Sequence, residues 1–378
     1  MVLTRRTFLK ATAGVVGGCA VLGGGGYLLA DSMGSPLVIK KNTTLDFEMD
    51  ETLKEALYAA SLAPSSHNIQ NWSVGVSSQR NELCIYRDTK RTLDVIDPDC
   101  REATIAVGAF TQNLTEALNA YGYRPDVVLN AEKGAALCAT ITYEKRPYSS
   151  LAQGALDVFA QRHSDKRVYQ KDTLPADVLT NLLRKQGSTV SYHPANEASG
   201  AALADITMRA FVQQAGDQMA RDELADWLRF SDAEALALRD GLPAEQLGLT
   251  GFMKTLYYLT TNRESARGDS FAQQGIDKAK GQLKGCAGFF TISGGEGKKA
   301  WLETGMLLEA FWLDATRERI ALHPMSAALQ ERNYREELGS ILQSKESIHM
   351  ILRAGLVSDY GSNNGIRRNI GEFVFTGD

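Results

Sequence analysis

Cysteine is sparse and unpaired in this sequence: Cys19, Cys84, Cys100, Cys138 and Cys286 lie far apart, with no CxxC spacing. That pattern argues against a zinc site, and an odd count makes a poor disulfide framework. Histidine is equally thin. His67, His163, His193, His323 and His349 are dispersed, so no metal centre built from protein ligands is expected. Basic excess is also missing. With 41 Lys and Arg against 45 Asp and Glu, the formal charge is −4, and no bulk field draws nucleic acid. What remains is an ordinary globular composition, 44% hydrophobic and 23% charged, over 378 residues, enough for two domains.

The first thirty residues stand apart. Thr4-Arg5-Arg6-Thr7-Phe8-Leu9-Lys10 precedes an uncharged, Gly- and Ala-rich stretch from Ala11 to Ala30. Paired arginines, then Phe-Leu-Lys, then a weakly apolar run form the pattern of a twin-arginine export signal, expected over residues 1–31. Leu28 two positions before Ala30 makes a poor cleavage site, and Val16-Gly17-Gly18-Cys19 is only a loose lipobox. If retained, about 20 apolar residues suffice to anchor the chain in a bilayer. The twin-arginine machinery exports folded proteins, so this signal points to a cofactor acquired before export and to a periplasmic or other extracytoplasmic location.

Residues 31 to 46 read as a polar linker. Leu53, Ala56, Leu57 and Ala60 then fall at helical spacing behind Asp50 as N-cap, and Ala63-Pro64-Ser65-Ser66 stops the helix. Residues 72–76 and 83–86 alternate like the strands of a hairpin. A second helix is expected from about Cys100 to Tyr121, with strands near 125–129 and 136–143. A fresh start near Leu156 leads into Arg162-His163-Ser164-Asp165-Lys166-Arg167. Residues 200 to about 284 read almost wholly helical. A buried strand follows at 285–293, then a long apolar helix from Lys298 to Arg317, and a strand at 348–352. Gly108 and Gly305 each open a comparable helical run, which suggests two copies of one unit, each about half of the chain after the signal.

Four segments carry a family resemblance. Ala63-Pro64-Ser65-Ser66-His67-Asn68-Ile69-Gln70-Asn71-Trp72 resembles the A-P-S-x-x-N-x-Q-P-W signature of the nitroreductase family, with Asn71 at the usual proline. Arg162 to Tyr169 resembles the R-x-S/T-x-R-x-x-F that opens a nitroreductase domain, with Lys166 at the second arginine and Arg167 beside it. The helix from Glu303 to Thr316, followed by Leu322-His323-Pro324-Met325-Ser326, resembles the family's long helix and the loop after it, with Arg319 replacing a helix-ending glycine. Gly365-Ile366-Arg367-Arg368 resembles its C-terminal arginine.

The resemblance implies an α+β, nitroreductase-like fold and a bound flavin mononucleotide (FMN). Pro64, Ser65, Ser66, Asn68 and Gln70 would flank the flavin ring, whose edge offers donors and acceptors that carboxamides match. Arg162, Ser164, Lys166, Arg167, Arg367 and Arg368 would serve its phosphate, which calls for converging charge-assisted donors. His323, Pro324 and Met325 would lie by the reactive edge, where His323 either donates a proton or simply precedes a turn proline. The ring strip sits in a first half, 47–150. The phosphate residues sit in a second, 151–378, which carries a helical insertion at about 204–284. One chain would thus form an intramolecular pseudo-dimer with one complete site, as in the Acg-type branch of internally duplicated relatives. The insertion would form a lid over the ring, with Trp227 and Phe230 as cover. The activity implied is that of an exported FMN oxidoreductase with unknown small-molecule electron donor and acceptor. The alternative is a non-catalytic protein that stores or sequesters FMN. Arg87-Asp88-Thr89-Lys90-Arg91 follows a strand and reads as a solvated turn.

Overall fold

The computed structural model describes residues 34–77, 79–146, 153–363 and 365–377. The export signal expected over 1–31 lies outside them. Among the described residues no helix is long and apolar enough to cross a membrane, and no cluster of His, Cys, Asp or Glu could hold a metal ion.

The fold is α+β, with two sheets flanking a central pair of helices. The first half runs α1 (Glu51–Ser61), β1 (Trp72–Ser77), β2 (Glu82–Arg87), α2 (Arg101–Ala120), β3 (Tyr123–Leu129) and β4 (Leu137–Lys145). Asp50 caps α1 as expected, accepting from the Thr52 amide at 2.9 Å. After α3 (Gln153–Gln161), the second half runs α4 (Ala176–Gln186), β5 (Val190–Pro194), β6 (Gly288–Gly294), α11 (Lys298–Arg317), β7 (Ala321–Pro324) and β8 (Ser347–Gly355). Between β5 and β6 lie α5 (Ala198–Gly216), α6 (Gln218–Trp227), α7 (Asp232–Leu238), α8 (Gly251–Thr260), α9 (Arg263–Ala266) and α10 (Asp269–Lys284). Short helices α12 (Ala327–Gln330) and α13 (Arg332–Ile341) separate β7 from β8.

The two sheets share one strand order. The first is β3-β4-β2-β1 and the second β7-β8-β6-β5, antiparallel throughout, each with a register shift late in its second strand, at Ile85/Tyr86 and at Ile292/Ser293. A last strand, β9 (Val374–Thr376), leaves the second half and pairs parallel to β1 on the outer edge of the first sheet. The insertion therefore occupies, in the second half, the place of the tight β1–β2 turn in the first.

Helices α2 and α11 cross at their glycines. A Cβ on Gly305 would lie 2.0 Å from the Ile105 carbonyl oxygen, and one on Gly108 would lie 2.2 Å from that of Leu302. Only glycine at both positions lets the backbones approach so closely. The N-termini reciprocate. Arg101, first residue of α2, donates to the His349 carbonyl of β8 at 2.7 Å. Lys298, first residue of α11, donates to Leu137 at the start of β4 at 2.6 Å and to Ala135 at 2.8 Å. One core joins α1, α2 and the first sheet, with Trp72 stacked on Phe110 at 5.0 Å. The second sheet is covered on both faces, by α11 through Phe290, Phe311 and Trp312, and by α5 through Phe289, Leu203 and Ile206. Burial on both faces explains the continuous apolar run of β6.

Candidate functional site

The segment joining α1 to β1 makes a tight left-handed turn. His67, Asn68 and Gln70 have φ of 50°, 54° and 51°, although none is glycine. Each such residue costs on the order of 1 kcal/mol, so the surroundings must hold the turn in place. They do so through hydrogen bonds. The Ser65 hydroxyl accepts from the Gln70 amide at 3.0 Å, and Ser66 donates to Glu102, at the start of α2, at 2.6 Å. Asn68 and Gln70 are buried. Asn68 donates to the carbonyls of Gly241 at 3.0 Å and Ile366 at 3.2 Å, and accepts from Arg367 at 3.1 Å. Gln70 donates to the Arg239 carbonyl and accepts from the Arg368 amide, both at 2.9 Å. Pro64 is half-buried at the head of this turn.

The insertion closes over the turn. Gly241 and Arg239 supply carbonyls to both carboxamides, and the Gly241 amide returns a bond to the Asn68 carbonyl at 3.3 Å. Asp240 between them is held by Arg229 at 2.5 Å and by Arg91. Arg91 also reaches the Ile69 carbonyl. Arg91 therefore anchors the insertion rather than standing in a solvated turn: its partner lies 149 residues away, beyond any local signal. Trp227 packs against Ile69, Leu93 and Ile96, with the Arg91 guanidinium 5.5 Å from its ring, and so covers the turn. Phe230 instead packs inside the insertion, stacked on Tyr257.

The basic residues expected at the phosphate divide into two groups. Arg162, Arg367 and Arg368 are buried beneath the turn. Arg162 pairs with buried Glu309 of α11 at 3.0 Å, lies over the Trp312 ring at 4.8 Å and donates to the Leu62 carbonyl. Arg367 donates to the carbonyls of Ser61 and Leu62, at 2.5 and 3.0 Å. Two cations thus satisfy the open carbonyls at the end of α1. Arg368 bonds the carbonyls of Gln70 and Trp72 at 2.6 and 2.7 Å. Burial, and the mutual repulsion of Arg162 and Arg367, lower the Arg367 pKa. Arg162 keeps one buried nitrogen, Nη1, without a partner.

The second group surrounds Lys166. Arg167 turns outward, doubly bonded to Asp165 and donating to the Asp359 carbonyl at 2.7 Å, and Ser164 is exposed. Burial alone would raise Asp165, but bonds from His163 and Arg167 outweigh it and keep its carboxyl ionised. The Lys166 carbonyl accepts from Gln282, but the Lys166 ammonium has no hydrogen-bond or ion-pair partner among the described residues. A Cβ on Gly248, in the insertion, would lie 3.5 Å from the Lys166 Cβ and 3.6 Å from the Lys278 Nζ, so the two lysines converge there. Burial and Lys278 push Lys166 down to about 8. His67 borders the same space: its Nδ1 is buried without a partner, and burial together with Lys166 lowers it to about 4. His323 is pushed well below its usual value by burial and by Arg353, whose Nη2 stands 3.4 Å from its Nδ1. It is neutral at physiological pH, so it cannot act as an imidazolium proton donor there. Pro324 closes β7, and Met325 is packed in the core between the second sheet and α5.

Lys166, Lys278, His67, His323 and Arg353 are thus neighbours, and the carboxylate beside them, Asp165, is paired with Arg167, an arrangement suited to an anion. An open cleft of about 580 Å³ lies elsewhere, between α1 and the first sheet, lined by Glu48, Asp50, Tyr123, Tyr143 and Lys145. Asp50 there pairs with Lys145 at 2.5 Å, and the cleft shares no residue with the turn.

No model of a known protein family matches the chain, and no curated protein matches it. Among solved structures it is similar to the FMN-dependent nitroreductase NfnB from Mycobacterium smegmatis, determined in complex with NADPH. The two share 16% identity and a TM-score of 0.37, over 58% of this chain and 94% of that one.

Proposed function

We propose that this chain is an exported FMN-binding oxidoreductase of nitroreductase type, formed by two copies of one unit joined in a single polypeptide. Its cofactor would occupy the junction of the Ser65–Gln70 turn, the Ser164–Arg167 segment and the insertion. The observation that carries this reading is the partnerless Lys166 ammonium beside Lys278 and the orphaned His67 Nδ1. A doubly charged phosphate would supply the missing partner for the Lys166 ammonium and His67 Nδ1, and a counter-charge for Lys278, whose ammonium already donates to the Leu247 carbonyl. The fit extends to the sequence: His67 belongs to the segment that resembles the family's ring strip, and Lys166 to the one that resembles its phosphate clamp. Lys166 and Lys278 would hold the phosphate as point charges, with Arg162 Nη1 as a further donor. Asn68 and Gln70 would meet the ring once the insertion releases their carboxamides.

When bound, FMN supplies a redox centre, which the protein positions and tunes. The residues of this chain would exclude water above the ring through Trp227 and the 239–241 segment. They would also keep His67 and His323 neutral, as hydrogen-bond partners rather than charges. The test is the visible spectrum of the purified protein. A flavin band that disappears in the Lys166→Met/Lys278→Met variant is expected, and a colourless protein that takes up no added FMN refutes the reading.

A second reading has its own support. The insertion occupies both carboxamides that would contact a ring, and four interlocked groups, Arg91, Asp240, Arg229 and Trp227, keep it shut. A protein built that way would hold FMN without exchanging electrons with a large donor such as a nicotinamide. Bleaching by NAD(P)H supports the oxidoreductase. Bleaching by dithionite alone supports storage or a smaller donor.

A further inference from the structure

Helix α8 buries only one of its faces. Lys254, Thr255 and Tyr257 point inward, and Lys254 is a hub with no exposed surface: its ammonium donates to the Ser35 carbonyl at 2.7 Å, to Asp232 at 2.8 Å and to Glu245 at 2.6 Å. The opposite face carries Phe252, Met253 and Leu259, at 53%, 49% and 62% exposure, with Leu256 half-buried between them. Spacing of one, four and seven positions from Phe252 makes a single apolar stripe along the helix. An exposed stripe of this kind on a soluble domain marks a contact surface.

Its position indicates what it contacts. Gly34, the first described residue, sits at the N-terminus of α8: a Cβ there would lie 3.3 Å from the Gly251 carbonyl oxygen. The chain just after it is fastened to the insertion through Ser35–Lys254 and through the Leu37 amide, which donates to Glu245 at 3.0 Å. Val38, four residues after Gly34, is itself 75% exposed. Three residues, Asp31-Ser32-Met33, separate Gly34 from the end of the uncharged stretch Ala11–Ala30, long enough to span a bilayer. From Ala30 to Gly34 is four Cα steps, which reach at most about 14 Å. A chain that keeps this stretch in a membrane therefore cannot carry the start of α8 farther than that from the end of the span.

We propose that α8 is a membrane-contact helix. With Ala11–Ala30 inserted, the stripe Phe252, Met253, Leu256 and Leu259 lies in the headgroup region, as interfacial amphipathic helices do. The Lys254 hub, by locking the linker to the buried side of the same helix, fixes which face of the domain looks toward the bilayer.

Hydroxyl-radical footprinting of the full-length chain tests this, because the protein carries its own reference. Met219 on α6 is 64% exposed, similar to Met253. The chain is synthesised into vesicles of phosphatidylethanolamine and phosphatidylglycerol, and oxidation of the two methionines is read by mass spectrometry. Met253 is expected to oxidise at least about threefold more slowly than Met219. In the Phe252→Asp/Leu259→Asp variant, which changes exposed side chains only, the two rates become comparable. Comparable rates in the unaltered chain overturn the proposal, and so does failure of the chain to sediment with the vesicles. Protection that persists in a fluorinated surfactant without any bilayer also overturns it, because the cover is then another chain segment or a second copy.

Discussion

Replacing Gly305 with alanine puts the two-halves architecture to the most direct test. Two effects of opposite sign compete. Alanine in a helix interior is worth about 1 kcal/mol over glycine, so an unobstructed site gains stability. At Gly305, however, the new methyl would stand 2.0 Å from the Ile105 carbonyl oxygen, 2.9 Å from the Ala109 nitrogen and 2.9 Å from the Gly108 Cα. Ordinary contact begins near about 3.5 Å, so α2 and α11 would have to part by about 1.5 Å at the crossing. Every obstacle is backbone, and no side-chain rotation relieves it. Overpacking of this kind costs about 3 kcal/mol, the upper end of the usual range, leaving a net loss of about 2 kcal/mol. Gly281, in α10, has nothing within 4 Å of a built Cβ and is the control. Urea unfolding should show Gly281→Ala at or above the parent and Gly305→Ala about 2 kcal/mol below it. Gly108→Ala should match Gly305→Ala. The double variant should lose clearly less than the sum, because helices parted once leave room for the second methyl. A Gly305→Ala protein as stable as Gly281→Ala would mean that the helices do not cross at these glycines.

Three further outcomes follow from the site. Lys166, held near 8, lies below the ordinary lysine value of 10.5, so between those pH values the unfolded chain binds more protons and the ligand-free fold gains stability as pH rises. FMN affinity should move the opposite way, weakening above about pH 8 as the ammonium discharges, and Lys166→Met should flatten both trends in fluorescence titrations and melts. Glu309→Leu leaves the Arg162 guanidinium buried with Arg367 as its charged neighbour, so a loss of about 3–5 kcal/mol is expected in equilibrium unfolding. Asp240→Ala unlocks Arg91 and Arg229 together; it should speed flavin reduction by external donors and expose the Arg229–Arg239 segment to trypsin, while reduction at the parent rate would refute the closure role assigned to 239–241.

Much of the frame was legible because its signals are local. Asp50, the apolar spacing of α1 and the Pro64 stop lie within one short window, and Gly108 and Gly305 marked the two helices that now meet at those residues. The insertion's helical character was equally open to reading, since it rests on periodicity. Short strands escaped: β5 and β7 have five and four residues, too few to show a period, and β9 exists only because β1 offers it an edge. The partners of the site residues escaped for a different reason. Asn68 and Gln70 bond to Gly241, Arg239 and the 366–368 tail, at separations from 169 to 299 residues. Nothing near Gln70 in sequence encodes those contacts. Nor does the run Arg162–Arg167 reveal that Arg162 turns to Glu309, Arg167 to Asp165, and that the Lys166 ammonium stands without a partner beside Lys278.

The location of the insertion explains how one half could acquire the extra helices without losing its fold. In the first half, β1 and β2 are joined by a four-residue turn at the outer end of the hairpin. The matching connection in the second half runs from 195 to 287. Closing a long loop costs only a logarithmic increment over closing a short one, and a hairpin tip disturbs neither the ladder nor the core beneath it. The register of β5 on β6 is intact, from Val190↔Ile292 to Pro194↔Gly288. What the inserted helices must supply is their own stability and a means of staying closed. The first comes from packing α5 on the outer face of the second sheet. The second comes from Asp240, which draws Arg91 from the first half and Arg229 from the insertion onto one carboxylate. An insertion attached by its base to one half and latched by an ion pair to the other can open without unfolding either sheet, so in the function proposed above the latch would set access to the cofactor site.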